Sequence, residues 1–333
     1  MKRKRTASLI SSSSSSSQQQ LFSSQKSTIV VEAPDLYLPD ECWELVFKFL
    51  MHDQDKNDFM SLSVVSTQFL SITNRLPLSF TLHQLSSPPL PRLFQRFTNL
   101  ISLNLIYCTD LNKLLCQISN FSLNLTSLVL SCTYNKTTFP VDGLRAFSRN
   151  ITTLTSLTCS CIHSLRSTDM FLIADCFPNL QLLHLKYCSN ISEEGIGHVL
   201  RRCCNIRHLG LASSLGVKLL AMNFKVPKLE VLNLSYTKVD DETLYVISKS
   251  CSGLLHLLLE SCNYITEEGV KYVIENCKQL REINLRRCSK VHGKVVASMV
   301  FLRPSLRKIT APPSYRFNDR EMVLLKRQGC FVC

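Results

Sequence analysis

LLHLLLESCNYITEEGVKYVIENC, residues 254–277, decides the fold. Its first nine residues carry leucine at places one, four and six and cysteine at place nine. In an extended chain Leu257 and Leu259 then face one side, while His256, Leu258 and Glu260 face the other. The second half reads differently: Ile265 turns the chain inward, and Thr266, Glu267 and Glu268 suit a helix start, where a hydroxyl caps and acids complement the dipole. The stretch is a strand followed by a returning helix.

The string recurs. LQLLHLKYCSNISEEGIGHVLRRC stands at 180–203, L-x-x-L-x-L-x-x-C also begins at Leu100 (LISLNLIYC) and Leu280 (LREINLRRC), and weaker copies begin at Leu125, Leu154, Ile206, Leu229 and Leu306. Successive starts lie 23 to 29 residues apart, within the period of about 20–29 that marks leucine-rich repeats. The expected class is α/β, a horseshoe solenoid with parallel strands on the concave face and helices on the convex face. The repeats are assigned to residues 81–310, and 311–333 to a C-terminal cap or tail.

The sixteen cysteines are read against this register. Cys108, Cys188, Cys262 and Cys288 hold the ninth place, and Cys203, Cys251 and Cys277 stand three residues before the first leucine. A free cysteine is a small buried hydrophobe, so a repeated ladder points to packing rather than to metal ligation or catalysis. The terminal C-x-x-C of Cys330 and Cys333 has no second pair, and structural zinc needs four ligands. His184 and His256, separated by two intervening repeats at about 4.8 Å per strand, are too far apart to share a metal. No metal and no cofactor are expected.

The N-terminus MKRKRTASLISSSSSSS lacks the apolar core of a secretory signal, and no run of about 18 apolar residues spans a membrane. Reduced thiols and a nuclear and/or cytoplasmic location are expected, the opening KRKR being compatible with nuclear import. The formal charge of +13 lies in residues 81–333, because +3 over 1–35 and −3 over 36–80 cancel. Such a field favours acidic partners. Nucleic acid is disfavoured, since the basic residues lack an interleaved aromatic platform. There is no G-x-x-x-x-G-K, G-x-S-x-G or H-E-x-x-H, so an enzyme is not expected.

Ahead of the repeats the chain changes character twice. Residues 1–35 form a Ser/Gln-rich tail with few bulky apolar groups, expected to be disordered. Residues 36–80 are expected to form a few short helices. In LPDECWELVFKFL, Pro39 suits a helix start, Asp40, Glu41 and Glu44 follow it, and Cys42, Leu45, Val46, Phe49 and Leu50 recur at helical spacing. A second segment offers Asp58 as N-cap, then Phe59, Leu62, Val65, Phe69, Ile72 and Leu76, with a break near Ser66. A unit this small needs a partner or a neighbouring domain to cover its apolar face.

LPDECWELVFKFL at 38–50 followed by LSVVSTQF at 62–69 resembles an F-box, and the repeats behind it resemble the cysteine-containing leucine-rich repeats of plant-type F-box/LRR proteins. Leu38, Pro39 and Glu41 match the L-P-x-E opening, Val46, Phe47 and Leu50 its helix, and Leu62, Val65 and Phe69 its later L-x-x-V-S-x-x-F element. Cys42 and Trp43 replace the usual aliphatic pair. The resemblance implies a non-catalytic receptor of an SCF ubiquitin ligase. These residues, with Trp43, would dock on a Skp-family adaptor and through it reach cullin and RING subunits, while the repeats hold a protein substrate. A different class is also open: an interaction scaffold outside any ligase, with a degenerate F-box retained as a cap.

The strand register lists the surface that would hold such a substrate. Residues flanking the inward leucines are Leu182, His184 and Lys186, then His208, then Asn233, then His256, Leu258 and Glu260, then Glu282, Asn284 and Arg286. The earlier repeats offer small groups such as Ser102, Asn104, Ser127, Ser156 and Thr158. A few large side chains dominate interfaces, so the C-terminal half is the expected hot spot.

Overall fold

The computed structural model describes residues 38–52, 61–76, 78–83, 90–132, 138–214, 219–220, 222–316 and 318–333. The expected tail at 1–35 and the proposed cap Asp58 with Phe59 lie outside the described residues.

Each repeat core contributes a strand, and the strands pair in parallel in chain order. They are β1 (Leu78–His83), β2 (Leu100–Ile106), β3 (Ser127–Ser131), β4 (Ser156–Ser160), β5 (Leu182–Lys186) and β6 (His208–Gly210). Then come β7 (Val231–Asn233), β8 (His256–Leu258), β9 (Glu282–Asn284), β10 (Lys308–Thr310) and β11 (Phe331–Val332). Register is fixed by the fourth repeat position, where Leu103, Leu128, Leu157, Leu183, Leu209, Leu232, Leu257, Ile283 and Ile309 stand side by side. All nine are buried. A slip of one residue would turn this row to solvent, and that penalty sets the pairing.

Helices such as Val141–Asn150, Ser167–Cys176, Glu193–Arg202, Asp241–Ser250 and Glu267–Asn276 return on the outer side. Strands stack about 4.8 Å apart and helices about 8–10 Å apart, so the stack curves with strands inside. The two helix starts singled out by sequence are capped as expected. Ser192 accepts from the Gly195 amide at 3.3 Å and Thr266 from the Glu268 amide at 3.2 Å. The Asp241 carboxylate of the preceding repeat also accepts from the Thr266 amide at 2.7 Å and hydroxyl at 2.6 Å. The acid-rich helix start is therefore a joint between repeats.

The cysteine ladder makes defined contacts. At the ninth position, the Sγ of Cys188, Cys262 and Cys288 each reaches the sixth-position carbonyl of the repeat before it, Cys159, Leu234 and Leu259 respectively. Ser214 does the same with its hydroxyl toward Leu185, 3.2 Å away. A small donor suits the position because that carbonyl is buried, although Ile162 fills it in the repeat begun by Leu154. Burial pushes the thiols up, to about 11 in Cys188 and Cys203 and to about 12 in Cys251, Cys277 and Cys288. Alkylation needs thiolate and access. We expect a maleimide pulse on native protein to modify the exposed Cys42, Cys204 and Cys333 and to leave the ladder untouched until denaturant is added. Peptide mapping reads the difference.

The close stacking leaves some backbone positions without room for a side chain. A Cβ on Gly253 would lie 2.0 Å from the Pro227 carbonyl oxygen, and backbone cannot swing aside. Gly253→Ala is expected to cost about 1–3 kcal/mol through overpacking, read as a lower urea midpoint.

Candidate functional site

Two surfaces stand apart from the packed core. The first is the helical unit, with helices Asp40–His52 and Thr67–Arg75. The expected break is present: residues 63–65 turn, and Ser66 caps the second helix by accepting from the Phe69 amide at 3.1 Å. Arg75 clamps the two helices together, its guanidinium 2.7 Å from Asp40 and 3.5 Å from Glu44. Hydrogen bonds from Gln68 and Arg75 hold the Asp40 carboxyl below the usual carboxylate range.

The adaptor residues read from sequence divide between two faces. Phe47 is buried, its ring 4.9 Å from Phe69 and 6.0 Å from Trp43. Trp43, Leu62 and Phe69 are half-buried against the same core. Phe47 thus anchors the unit from inside, with 1% of its surface exposed. Leu38, Pro39, Glu41, Val46, Leu50 and Val65 are exposed. So are two residues missing from the adaptor set, Leu45 at 67% and Phe49 at 76%, together with Val64 at 82%. The stripe of Cys42, Leu45, Val46, Phe49 and Leu50 therefore points outward, while Trp43 and Phe47, one turn apart, point in.

The second surface is the strand-lined face. Leu182, His184, His208, Asn233, His256, Leu258, Glu260, Glu282 and Asn284 are half-exposed on it, and Lys186 and Arg286 are exposed. Several are already held by neighbours. Asn233 and Asn284 accept from the backbone amides of Ser235 and Arg286, at 3.0 and 2.9 Å. Glu282 lies 2.7 Å from Lys308 and 3.2 Å from His256. Burial works against its ionisation, but the bonds from Lys308 and His256 outweigh it and keep the carboxyl below its ordinary range. Burial, reinforced by His208, lowers the His184 imidazole. His184 also needs its bare neighbour, since a Cβ on Gly210 would come within 2.7 Å of its ring.

A row along the end of the strands was not legible from hydrophobic spacing. The eighth position of seven repeats is left-handed: Tyr107, Cys161, Tyr187, Ser213, Tyr236, Ser261 and Arg287, with φ between 56° and 61°. The amide there donates to the seventh-position carbonyl of the next repeat, as from Tyr187 to Ala212 at 3.1 Å and from Tyr236 to Glu260 at 2.7 Å. Such a conformation strains residues other than glycine. Here the inter-repeat bond and the neighbouring ladder hold it, and it swings the side chain outward. Tyr107, Tyr187 and Tyr236 are each more than two-fifths exposed.

No family model matches the chain. The chain is similar to F-box/LRR-repeat protein 4 of Bos taurus, 29% identical over 185 residues, which is 55% of this chain and 26% of that protein. It is also similar to the Antagonist of mitotic exit network protein 1 of Eremothecium gossypii, 29% identical over 119 residues, 32% of this chain and 30% of that protein. The chain spans less than a third of the length of either relative. Among solved structures it resembles the leucine-rich repeat-containing protein LegL7 from Legionella pneumophila, with a TM-score of 0.52 and 18% identity, over 83% of this chain and 95% of that one. The register, the left-handed row and these likenesses agree: the chain is a leucine-rich-repeat solenoid, similar in sequence to F-box/LRR-repeat protein 4.

Proposed function

We propose that the chain is the substrate-recognition subunit of an SCF ubiquitin ligase. The helical unit docks on a Skp-family adaptor, and the strand-lined face holds a protein substrate for ubiquitination and proteasomal degradation in the nucleus and/or cytoplasm. The observation that carries this reading is the two-sided helical unit. One face, through Phe47, Ile72 and Leu76, is built into the core, while Leu45, Phe49, Val64 and Val65 are left in solvent. A monomer gains nothing from exposing such a patch; a docked partner would cover it. The chain itself performs no bond chemistry. It raises the effective concentration of a target lysine at a separate conjugating enzyme.

Co-expression with a Skp adaptor and size-exclusion chromatography tests the proposal: a stable complex is expected, and adaptor eluting alone overturns it. One observation favours the second reading, a scaffold without ligase partners. Asn99 donates to the Arg75 carbonyl at 2.7 Å and Arg96 to the Asn74 side-chain oxygen at 3.1 Å, so the unit is fastened to the first turn of the stack. On that reading, deleting residues 36–80 destabilises the repeats and no adaptor complex forms with the full chain.

A further inference from the structure

The rim formed by the left-handed positions carries a chemistry that the floor of the strand-lined face does not. There exposed tyrosines meet cations. Lys186 Nζ lies 5.3 Å from the Tyr187 ring centroid, Lys290 Nζ lies 5.6 Å from that of Tyr264, and the Arg287 guanidinium is 3.5 Å from the Tyr236 hydroxyl. Tyr236 donates to Glu260 at 2.9 Å, and the same carboxylate meets Arg287 at 3.8 Å and Arg286 at 4.0 Å. One acid thus positions two arginines, each with some three-fifths of its side chain exposed.

The opposite edge of the stack is also basic, but its cations have an internal use. Lys225 donates to the Lys249 carbonyl and Arg303 to those of Ile274 and Glu275. Arg202 faces Asp175, and Arg207 faces Glu230. Cations at helix C-termini complement the dipole. The rim lies at the other end, beside the helix N-termini, where the dipole already favours anions. First-turn acids such as Glu193, Glu194, Glu267 and Glu268 already answer that dipole, so the attraction for anions at the rim comes from its exposed arginines and lysines themselves.

We propose that the edge of the strand-lined face at the strand ends, where Lys186, Tyr236, Arg286 and Arg287 gather, is the primary contact for the substrate, and that the segment it takes is an acidic peptide rich in aspartate and glutamate. This rests on the substrate-receptor reading, which supplies a protein as the occupant. Arginines engage the carboxylates, and the tyrosines pack on the intervening aliphatic stems, the pairing of residue types that most often dominates interfaces.

The test is fluorescence anisotropy on the full chain with a labelled polyglutamate peptide of about twenty residues, at low salt and at about 150 mM. Arg286→Glu with Arg287→Glu, and separately Tyr236→Ala, are expected to weaken binding about tenfold or more. Arg201→Glu with Arg202→Glu, on the opposite edge, is expected to change it less than twofold. Arg287→Gln, which adds no repulsion toward Glu260, is expected to fall between. Equal losses from both edges, no binding by the wild-type chain, or tighter binding of a length-matched oligothymidylate would overturn the proposal. Adaptor co-elution of the rim variants separates the two claims: it persists when only the rim assignment fails, and its absence from the wild type sinks the receptor reading instead.

Discussion

Phe47→Ala should unfold the helical unit at lower denaturant while leaving the repeats standing. The ring is 1% exposed and meets Phe69 edge-on at 4.9 Å and Trp43 at 6.0 Å. Truncating a buried phenylalanine removes its transfer free energy and leaves a cavity, together about 3–5 kcal/mol. In a unit of two described helices that loss rivals the whole local stability. Trp43 is the single tryptophan of the chain, so its fluorescence follows this unit and no other. The expected result is an early, separate tryptophan transition in urea, with the main circular-dichroism transition little moved. Phe49→Ala is the control: at 76% exposure it should shift neither transition by more than about 0.5 kcal/mol. Equal effects from the two would mean that the faces have been assigned the wrong way round.

The repeats could be read from sequence because a solenoid repeats its reasons. Each L-x-L must bury two side chains, a small donor at the ninth position meets a buried carbonyl in several repeats, and several helix starts carry a cap. A single noisy copy such as the one at Leu154 is then read through its neighbours. The helical unit offers no such redundancy. Its first helix has apolar residues on two sides, Trp43 and Phe47 on one and Leu45, Val46, Phe49 and Leu50 on the other. Period alone finds both stripes and cannot say which is covered, and the larger stripe turned out to be the open one. The rim was hidden for another reason: φ sign is not encoded by hydrophobicity. Tyrosine, serine, cysteine and arginine all occupy the left-handed position, with no glycine to announce it. A reader who lined up the eighth residues would have seen three tyrosines and an arginine just beyond the strand.

The open stripe supports the most consequential prediction about function. Leu45→Asp with Phe49→Asp should abolish adaptor binding without unfolding the chain. Neither side chain has a packing role to lose, being 67% and 76% exposed, so tryptophan and circular-dichroism melts should stay within about 0.5 kcal/mol of wild type. In a complex the same positions would be desolvated against the adaptor. Large central side chains are commonly worth about 2 kcal/mol or more each on truncation, and a buried unpaired carboxylate adds a further penalty. A loss of more than about a hundredfold in affinity for the Skp adaptor is therefore expected, measured by titration calorimetry. Phe47→Ala should also weaken binding, but in proportion to the fraction of unit unfolded, and it should recover as temperature falls. The double aspartate variant should not recover, because its defect lies in the contact and not in the fold. If the double variant still binds as tightly as wild type, the adaptor does not sit on this stripe, and the helical unit is left as a unit fastened to the first turn of the stack.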